Sequence, residues 1–248
     1  MSVSSGYRAT VPGAVVCLPT YDERDNLEPM LRTLNALGMR VLVIDDASPD
    51  GTGELADRLA AELDGVSVLH RAGKEGLGPA YVAGFREALA TDAEFVLEMD
   101  CDFSHDPDAA PRLVDACASG ADLALGSRYV AGGGTRHWGL ARRLVSYGGS
   151  LYARLVLGVH VRDLTGGFKC YRRETLERLD LDAIRSRGYL FQIETTYRVL
   201  RAGGRVVEVP IVFSDRIVGS SKMSRGIVTE AVLGVPRLRW AALRGRLG

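Results

Sequence analysis

Short, uninterrupted apolar runs alternate with amphipathic segments through the first 127 residues, and this pattern constrains the fold more than any other feature. The runs are short enough for strands that are buried on both faces. They occupy residues 14–18, 41–44, 66–69, 94–99 and 122–126. Between them, apolar residues recur at helical spacing, as in the stripe that contains Leu27, Leu31 and Leu34. The alternation predicts an α/β fold with a mainly parallel, Rossmann-like sheet flanked by helices.

The second half of the chain is less regular. Helices are predicted at 140–157 and 189–201, and a loop followed by a short strand at 162–173. The apolar run 205–213 contains Pro210, which cannot donate to a strand ladder and therefore predicts an edge strand. Without a recognisable linker, we expect a single domain over 1–225, with residues 214–226 as a flexible loop at its end. A C-terminal amphipathic, membrane-docking helix is expected over 226–248.

Polar and acidic residues follow most of the predicted strands. Ligands of open parallel sheets bind beyond the carboxyl ends of the strands, so these residues should form one rim. The strand ends are residues 19–23, 45–46, 70–78 and 100–102. Adjacent residues point to opposite sides of a strand, so one of Asp45 and Asp46 should face a ligand, unless the pair serves only a turn or a helix cap.

Asp100-Cys101-Asp102 is the strongest local signal. In extended backbone, residues i and i+2 point the same way, so both carboxylates would meet one site. Hard cations such as Mg²⁺ bind one or two carboxylates and complete their shell with phosphate oxygens. Two further Asp-x-Asp pairs occur, but only this one ends a predicted buried strand. The pattern therefore predicts a metal–diphosphate site.

The charge is neutral overall but divided along the chain. Residues 1–127 carry 22 acidic and 9 basic side chains, and residues 128–248 carry 9 acidic and 22 basic ones. The first half is suited to hold a cation and the second an anion, although solvated faces would give the same count. The chain has three lysines, Lys74, Lys169 and Lys222, all in glycine- or serine-rich stretches. These positions suggest loop point charges, with chance as the alternative.

Several other site types are excluded by missing patterns. The chain contains neither the dinucleotide fingerprint G-x-G-x-x-G nor the phosphate loop G-x-x-x-x-G-K-[ST]. Its four cysteines are widely spaced without a C-x-x-C pair, which argues against a zinc ribbon or a disulfide scaffold. No run reaches the roughly 18–20 apolar residues that a membrane-spanning helix needs.

Seven stretches between residues 14 and 225, in order and with few gaps, carry a family resemblance. The chain resembles family 2 glycosyltransferases of the GT-A fold, and among them the polyprenol (dolichol) monophosphate mannose synthases. The stretches are VVCLPTYDERDNL, VLVIDDASPDGTGELAD, GKEGLGPAYVAGF, MDCDFSHDP, GSRYV, DLTGGFKCYRR and RIVGSSKMS. The resemblance implies GDP-mannose as donor, polyprenyl phosphate as acceptor, and Mg²⁺ or Mn²⁺ as cofactor.

The same resemblance implies the site residues. The implied nucleotide-sugar-binding residues are Pro19, Tyr21, Glu23 and Asp46, with Lys74 beside them, and Asp100. The implied metal ligands are Asp100 and Asp102, and the implied acceptor-phosphate-binding residues are Arg128, Arg142 and Ser146. The implied catalytic residues are Asp102, Arg128, Arg216 and Lys222, the last two in a loop that closes on the donor. Many members carry Gln near the metal where this chain has Ser104, so the resemblance leaves open whether a third side chain binds the metal.

Membrane association is also implied. Some members of the family continue into membrane helices, and no such helix is expected in this sequence. The resemblance therefore implies a short form of the family that is peripheral on the cytoplasmic face of the membrane. An amphipathic surface or a small membrane-anchoring partner protein would recruit it. Trp240 and the nearby arginines are typical of an interfacial helix, although an ordinary docking helix has a similar pattern. We expect no nucleic-acid partner.

Three other functions remain open at this point. The nearest is the same transfer with UDP-glucose as donor. A sugar nucleotidyltransferase would also combine an α/β fold with paired aspartates, but usually has a glycine-rich, arginine-containing loop where this chain reads PTYDERDN. A non-catalytic membrane adaptor is the third.

Overall fold

A computed structural model describes residues 13–215, 225–245 and 247 of the chain. The strands are β1 Ala14–Thr20, β2 Arg40–Asp45, β3 Val66–His70, β4 Phe95–Glu98, β5 Leu123–Ser127, β6 Gly134–Thr135, β7 Lys169–Arg172, β8 Val206–Pro210 and β9 Val212–Phe213. The α-helices are α1 Arg24–Ala36, α2 Thr52–Glu62, α3 Leu77–Leu89, α4 Ala110–Ala118, α5 Leu140–Leu157, α6 Arg173–Arg178, α7 Gly188–Arg201 and α8 Arg225–Leu243. Short 3₁₀ turns cover Pro107–Ala109 and Leu181–Ala183.

One sheet carries the architecture, in the order β3-β2-β1-β4-β7-β5-β8. All neighbouring pairs are parallel except those that β7 makes with β4 and β5. The predicted α/β fold with a mainly parallel sheet is therefore confirmed. Because β7 runs in the opposite direction, the loop that precedes it lies at the edge where the parallel strands end. The Gly126 N–H donates to the carbonyl of Phe168 across 2.8 Å at this edge.

Helices cover both faces of the sheet, as the uninterrupted apolar runs require. Val16 and Leu18 of β1 pack on one face with α1, α2 and α4. Val15 and Cys17 point to the other face, where they pack with α3 and α7. All four of these side chains are buried, which explains why the strand sequence is apolar throughout rather than alternating.

The predicted strand over 205–213 is divided in two. β8 lies at the edge of the large sheet, as Pro210 predicted, and pairs with β5. The chain then passes through the buried Ile211. It continues as β9, which pairs with β6 in a separate two-stranded sheet.

The C-terminal helix α8 packs against α5 and α7. Gly234 lies so close to Leu190 that a Cβ atom there would come within 2.3 Å of it. The Tyr152 hydroxyl of α5 donates to the carbonyl of Val232 across 2.8 Å. Among the helices of the described residues, none is both long and apolar enough to cross a bilayer.

Candidate active site

A cleft of about 640 Å³ opens where β1, β2, β4 and β5 end. Its walls also include the loop before β7 and parts of α3, α5, α7 and α8. The predicted residues on its wall are Pro19, Tyr21, Glu23, Asp46, Lys74, Asp100, Asp102, Arg128 and Arg142. Ser146 instead lines a smaller adjoining groove, and Arg216 and Lys222 lie outside the described residues.

Backbone strain is concentrated beside three of these residues. Asp22, Ala47 and Phe103 adopt left-handed φ angles of 58°, 54° and 58°. Each directly follows a residue on the cleft wall, namely Tyr21, Asp46 and Asp102. Residues other than glycine rarely adopt this conformation, and such strain clusters at functional sites.

At one end of the cleft, Asp46 is the member of the Asp45-Asp46 pair that lines the wall. Its carboxylate forms an ion pair with Arg71, and Arg71 also bonds the carboxylate of Glu75 at 2.6 Å. Burial raises the pKa of Asp46 above its ordinary value, and the Arg71 charge opposes this effect. Asp45 points elsewhere and accepts a 2.6 Å hydrogen bond from the Ser48 hydroxyl. Arg71 was not predicted as a site residue, because no motif marks it.

Beside Asp46, Tyr21 and Lys74 approach each other from two different loops. The Lys74 ammonium lies 3.6 Å from the centroid of the Tyr21 ring, within the range of a cation–π contact. A positive charge and an aromatic face therefore share this wall with the Asp46 carboxylate.

The structure corrects the predicted geometry of Asp100 and Asp102, because β4 ends at Glu98 and the two aspartates follow in a bent segment. Both nevertheless line the cleft. Asp102 is buried, and its carboxylate accepts a 3.0 Å hydrogen bond from the Ser104 amide. The side chain of Asp100 is 32% exposed.

The two carboxylates fit a hard divalent cation. Their oxygens are the donors that Mg²⁺ and Mn²⁺ prefer. The buried Ser104 hydroxyl close by has no hydrogen-bond partner among the described residues. Those residues also contain no cluster of three or more His, Cys, Asp and Glu side chains suited to a metal. An ion bound here would need further ligands from a substrate.

At the opposite end, Arg128 is buried against Asp163. Its Nε and Nη2 atoms donate to the two Asp163 oxygens at 2.7 and 2.6 Å, and Nη2 also reaches the Thr165 hydroxyl at 3.0 Å. Burial alone lowers the pKa of Arg128, but the Asp163 carboxylate outweighs it, so the pKa is raised. Asp163 lies in the loop before β7 and was not singled out from the sequence.

A second missed carboxylate, Glu208 of β8, holds this loop in place. Its Oε1 accepts from the Ser127 hydroxyl at 2.7 Å and from the Asp163 amide at 3.1 Å. Its Oε2 accepts from the Arg162 amide at 2.9 Å. The arginine end of the cleft is thus fixed by the buried Ser127 of β5, the half-buried Glu208 of β8 and the buried Asp163 of the loop between α5 and β7.

Arg142 of α5 joins the cleft to the adjoining groove and lines both. Its guanidinium lies 4.2 Å from the centroid of the Trp138 ring and forms an ion pair with Asp215. The groove measures about 80 Å³ and is largely apolar, with walls from α5, α7 and α8. Ser146 lies in it and accepts a 2.8 Å hydrogen bond from the Tyr129 hydroxyl.

The suggestion that Lys169 is a loop point charge is wrong. It is the first residue of β7 and is completely buried. Its ammonium donates to the Gln192 carbonyl and to the Thr195 hydroxyl, both at 2.9 Å. Burial lowers the pKa of Lys169 to about 8, with the charge of Glu98 opposing the shift.

Comparison with known proteins identifies the family of this chain. The glycosyl transferase family 2 profile matches residues 15–180. The chain is 50% identical over 237 residues to the undecaprenyl-phosphate mannosyltransferase of Micrococcus luteus, covering 93% of this chain and 97% of that protein. It is 48% identical over 236 residues to the polyprenol monophosphomannose synthase of Mycolicibacterium smegmatis, covering 94% and 88%.

A solved structure is similar in fold. The mannosyltransferase PcManGT of Pyrobaculum calidifontis, solved in complex with GDP-Man and Mn²⁺, matches with a TM-score of 0.54 and 17% identity. The match covers 94% of this chain and 74% of that one. The GT-A fold expected from the motifs is confirmed, and the chain belongs to glycosyltransferase family 2.

Proposed function

We propose that this glycosyltransferase moves mannose from GDP-mannose to a polyprenyl phosphate, with inversion at the anomeric carbon. The observation that carries the proposal is the layout of one cleft. Carboxylates lie at one end and arginines at the other, and an apolar groove continues from the arginine end. The names of the Micrococcus and Mycolicibacterium relatives support the same donor sugar and the same class of acceptor.

The nucleotide binds at the end formed by Pro19, Tyr21, Glu23 and Asp46. Guanine carries a ring N–H and an exocyclic amine on one edge, and a carboxylate can accept both hydrogen bonds. Uracil offers a single N–H there. The buried, Arg71-paired carboxylate of Asp46 therefore favours GDP-mannose over the alternative donor, UDP-glucose.

Asp100 and Asp102 hold a divalent ion, Mg²⁺ or Mn²⁺, together with the diphosphate of the donor. When bound, this ion offsets the negative charge that develops on the departing diphosphate. Ser104, with its buried and unpartnered hydroxyl in the described region, is placed to add a polar contact near Asp102. Lys74 contributes a positive charge on the nucleotide side of the cleft.

Arg128 and Arg142 hold the acceptor phosphate. Asp163 occupies the Nε and Nη2 atoms of Arg128, whereas Nη1 makes no hydrogen bond to the described residues and remains for a phosphate oxygen. At pH 7 a phosphate monoester is mostly dianionic, since its second pKa is near 6, and it needs no general base. A phosphate oxygen forms the new bond to the anomeric carbon from one face, and the carbon–oxygen bond to GDP breaks on the other. Arg216 and Lys222 complete the anion-binding set in the proposed mechanism.

The lipid portion of the acceptor enters the apolar groove beside Ser146. Large apolar side chains on α5 and α8 are exposed near this groove, which supports a peripheral position on a membrane. They are Leu140, Leu144, Val145, Tyr147, Leu155, Val232, Leu233, Trp240 and Leu243. We assign the protein to the cytoplasmic face, where it works alone or with a small membrane-anchoring partner.

The test is a transfer assay with radiolabelled GDP-mannose, undecaprenyl phosphate in detergent micelles, and Mg²⁺ or Mn²⁺. Label should move into the organic phase, and an excess of chelator should abolish the transfer. Labelled UDP-glucose serves as the competing donor. Equal or greater transfer from UDP-glucose would overturn the proposed donor, and no lipid-linked label from either donor would overturn the reaction.

A further inference from the structure

The indole of Trp138 lies where the cleft meets the adjoining groove, and it lines both. Trp138 belongs to the segment between β6 and α5, so it is not part of a helix or a strand. Its side chain is nevertheless buried. A large aromatic side chain at the junction of two cavities is suited to order the groups around it, and two of these groups are the arginines at the phosphate end.

Both arginines approach the same ring. The guanidinium carbon of Arg142 lies 4.2 Å from the centroid of the Trp138 ring, and that of Arg128 lies 5.5 Å from it. Each distance is within the range of a cation–π contact, for which tryptophan is the best partner among the aromatic side chains. One ring therefore contacts two positive charges that come from different parts of the chain and that repel each other.

The two arginines are held with unequal firmness. Arg128 is buried and has two hydrogen bonds to Asp163. Arg142 is paired with Asp215, whose side chain is 43% exposed, and Arg142 makes no other ion pair or hydrogen bond with the described residues. An arriving phosphate would compete with Asp215, because both anions accept from the same guanidinium. The contact with the Trp138 ring uses the ring face and can persist when phosphate is bound.

The ring is itself fixed from another element. Phe213 of β9 packs edge-on against it, with the ring centroids 5.2 Å apart. β9 pairs with β6, and the Arg136 amide donates to the Phe213 carbonyl across 2.8 Å just before Trp138. The small sheet thus holds the indole independently of α5, on which Arg142 lies. The ring can therefore serve as a fixed reference for the more exposed arginine.

We propose that Trp138 is a positioning residue for the acceptor phosphate, and that its ring holds the Arg142 guanidinium where one phosphate group contacts both Arg142 and Arg128. A free arginine side chain loses rotamer entropy when it binds a ligand, and a contact that restricts it beforehand lowers this cost. The inference rests on the proposed function, because it takes the two arginines as ligands of the acceptor phosphate. It goes further by assigning a residue that acts through Arg142.

The first test measures binding of geranyl phosphate, a short and soluble polyprenyl phosphate, by calorimetry. Trp138→Leu should raise its Kd about 3- to 30-fold, which is the range that a cation–π contact covers. The Kd of GDP should change less than about twofold, since GDP binds at the other end of the cleft. An unchanged Kd of geranyl phosphate, or an equal loss for GDP, would overturn the inference.

Trp138→Phe is the conservative variant. It keeps an aromatic face and removes no hydrogen bond, because the indole N–H has no partner among the described residues. Its Kd for geranyl phosphate should lie between those of wild type and Trp138→Leu. If Trp138→Phe loses as much affinity as Trp138→Leu, the aromatic face is not the cause and the inference fails.

A double-mutant cycle with Arg142→Ala separates this role from a contact between Trp138 and the lipid chain in the groove. Arg142→Ala alone should weaken binding of geranyl phosphate about 10- to 100-fold, as loss of a charged hydrogen bond does. Adding Trp138→Leu should then change the Kd less than about twofold, because the group on which the ring acts is gone. A full effect of Trp138→Leu in the Arg142→Ala background would show that the ring acts on the lipid or on the fold.

Fluorinated tryptophan tests the contact without a change of shape. The chain has two tryptophans, so in Trp240→Phe the analogues replace Trp138 alone. Fluorine atoms withdraw charge from the ring face and weaken its attraction for a cation. Within the Trp240→Phe background, the Kd of geranyl phosphate should rise from tryptophan to mono-, di- and trifluorotryptophan, while the Kd of GDP stays constant. A Kd of geranyl phosphate that does not follow the number of fluorine atoms would overturn the inference.

The outcomes distinguish this inference from the proposed function. If Arg142→Ala binds geranyl phosphate as tightly as wild type, the acceptor role of Arg142 fails and the inference fails with it. If Arg142→Ala binds weakly and the Trp138 variants bind like wild type, the function stands and the inference alone is overturned. The choice between GDP-mannose and UDP-glucose affects neither result, because the probe is the acceptor.

Discussion

The two ends of the cleft are built in different ways. At the nucleotide end, Tyr21, Asp46 and Asp102 each lie just beyond a parallel strand, within a few residues of its last position. At the phosphate end, Arg128 is held by Asp163, 35 residues away, and Ser127 by Glu208, 81 residues away. Short loops after strands form the first end, and a buried network of distant residues forms the second.

Because the two ends are built differently, substitutions should affect activity and stability to different degrees at each end. At the nucleotide end, Asp102 accepts a hydrogen bond from the Ser104 amide two residues away, so its substitution disturbs a local contact, whereas Asp46 shares a largely buried ion pair with Arg71. At the phosphate end, the same change leaves a buried charge unpaired. Substitutions should therefore affect chiefly activity at one end and folding as well as activity at the other.

The largest expected effect is that of Asp102→Asn at the nucleotide end. Loss of the charge should lower the transfer rate about 10³-fold, since charge stabilisation at a departing group has this magnitude. Thermal denaturation should give a Tm within a few degrees of wild type, because an amide oxygen at this position can still accept the hydrogen bond from the Ser104 amide. Near-normal turnover would remove Asp102 from the site.

The matched control for Asp102→Asn is Asp108→Asn. Asp108 belongs to another Asp-x-Asp pair, but its side chain is exposed outside the cleft. Its substitution should leave the rate unchanged. A comparable loss of rate in Asp108→Asn would show that the effect of Asp102→Asn is not specific to the cleft.

At the phosphate end, Asp163→Ala should lower the free energy of unfolding by about 3–5 kcal/mol, because it leaves Arg128 buried without its partner. Asp215→Ala is the comparison, since it breaks the half-exposed pair with Arg142 in the same region. That change should cost less than about 1 kcal/mol. Urea denaturation of the three proteins measures both values, and equal losses would contradict the distinction between the two ends.

The pH dependence of ligand binding should differ between the nucleotide end and the phosphate end of the cleft. Because the pKa of Asp46 is raised by burial, its carboxylate becomes protonated at a higher pH than an ordinary aspartate, and it then cannot accept both guanine hydrogen bonds. GDP affinity should fall about tenfold per pH unit below that pKa. Asp46→Asn should bind GDP about tenfold more weakly at pH 7 and lose this dependence.

Calorimetric titration with GDP between pH 4.5 and 7.5 measures the effect. Arg128 has a raised pKa and stays charged throughout this range, so the arginine end contributes no such change. Acceptor binding should follow only the second pKa of the phosphate itself, near 6. If Asp46→Asn leaves the pH profile of GDP binding unaltered, a group other than Asp46 binds the base.

The smallest expected effect concerns the exposed surface of α5. Leu144 and Leu155 are 63% and 69% exposed, and replacement of both by Asp should weaken binding to vesicles that contain anionic lipid. Transfer to acceptor in those vesicles should fall about five- to tenfold, while GDP binding is unchanged. Ala61→Asp with Ala118→Asp adds the same charge elsewhere and should have no effect. Equal vesicle binding by both variants would exclude α5 as the docking surface.

Much of the fold was predictable because the relevant signals are local. Each apolar run in the first half forms a strand, and the edge position of β8 followed from Pro210 alone. The direction of β7 was not predictable, since a four-residue strand has no sequence mark of its orientation. Lys169 was misplaced because the preceding glycines resemble a loop, whereas a buried carboxylate and helix α7 provide its partners.

The candidate site divides in the same manner. Asp46 and Asp102 could be selected from the sequence because each closely follows a buried apolar run, where carboxylates have a clear chemical use. Asp163, although it begins the stretch DLTGGFKCYRR, and Arg71 could not be selected, since no local pattern assigns a role to either side chain. Their importance comes from burial and from partners on other elements.

By itself, the sequence determined the α/β alternation, the buried strands and the acidic rim of the cleft. These depend on periodicity and on residues next to one another, which act over a few positions. The tertiary structure decided the arginine end of the cleft. The reason is that β7 lies antiparallel between β4 and β5, and this brings its preceding loop, β8 and α7 together around buried charges that must be paired across long stretches of chain.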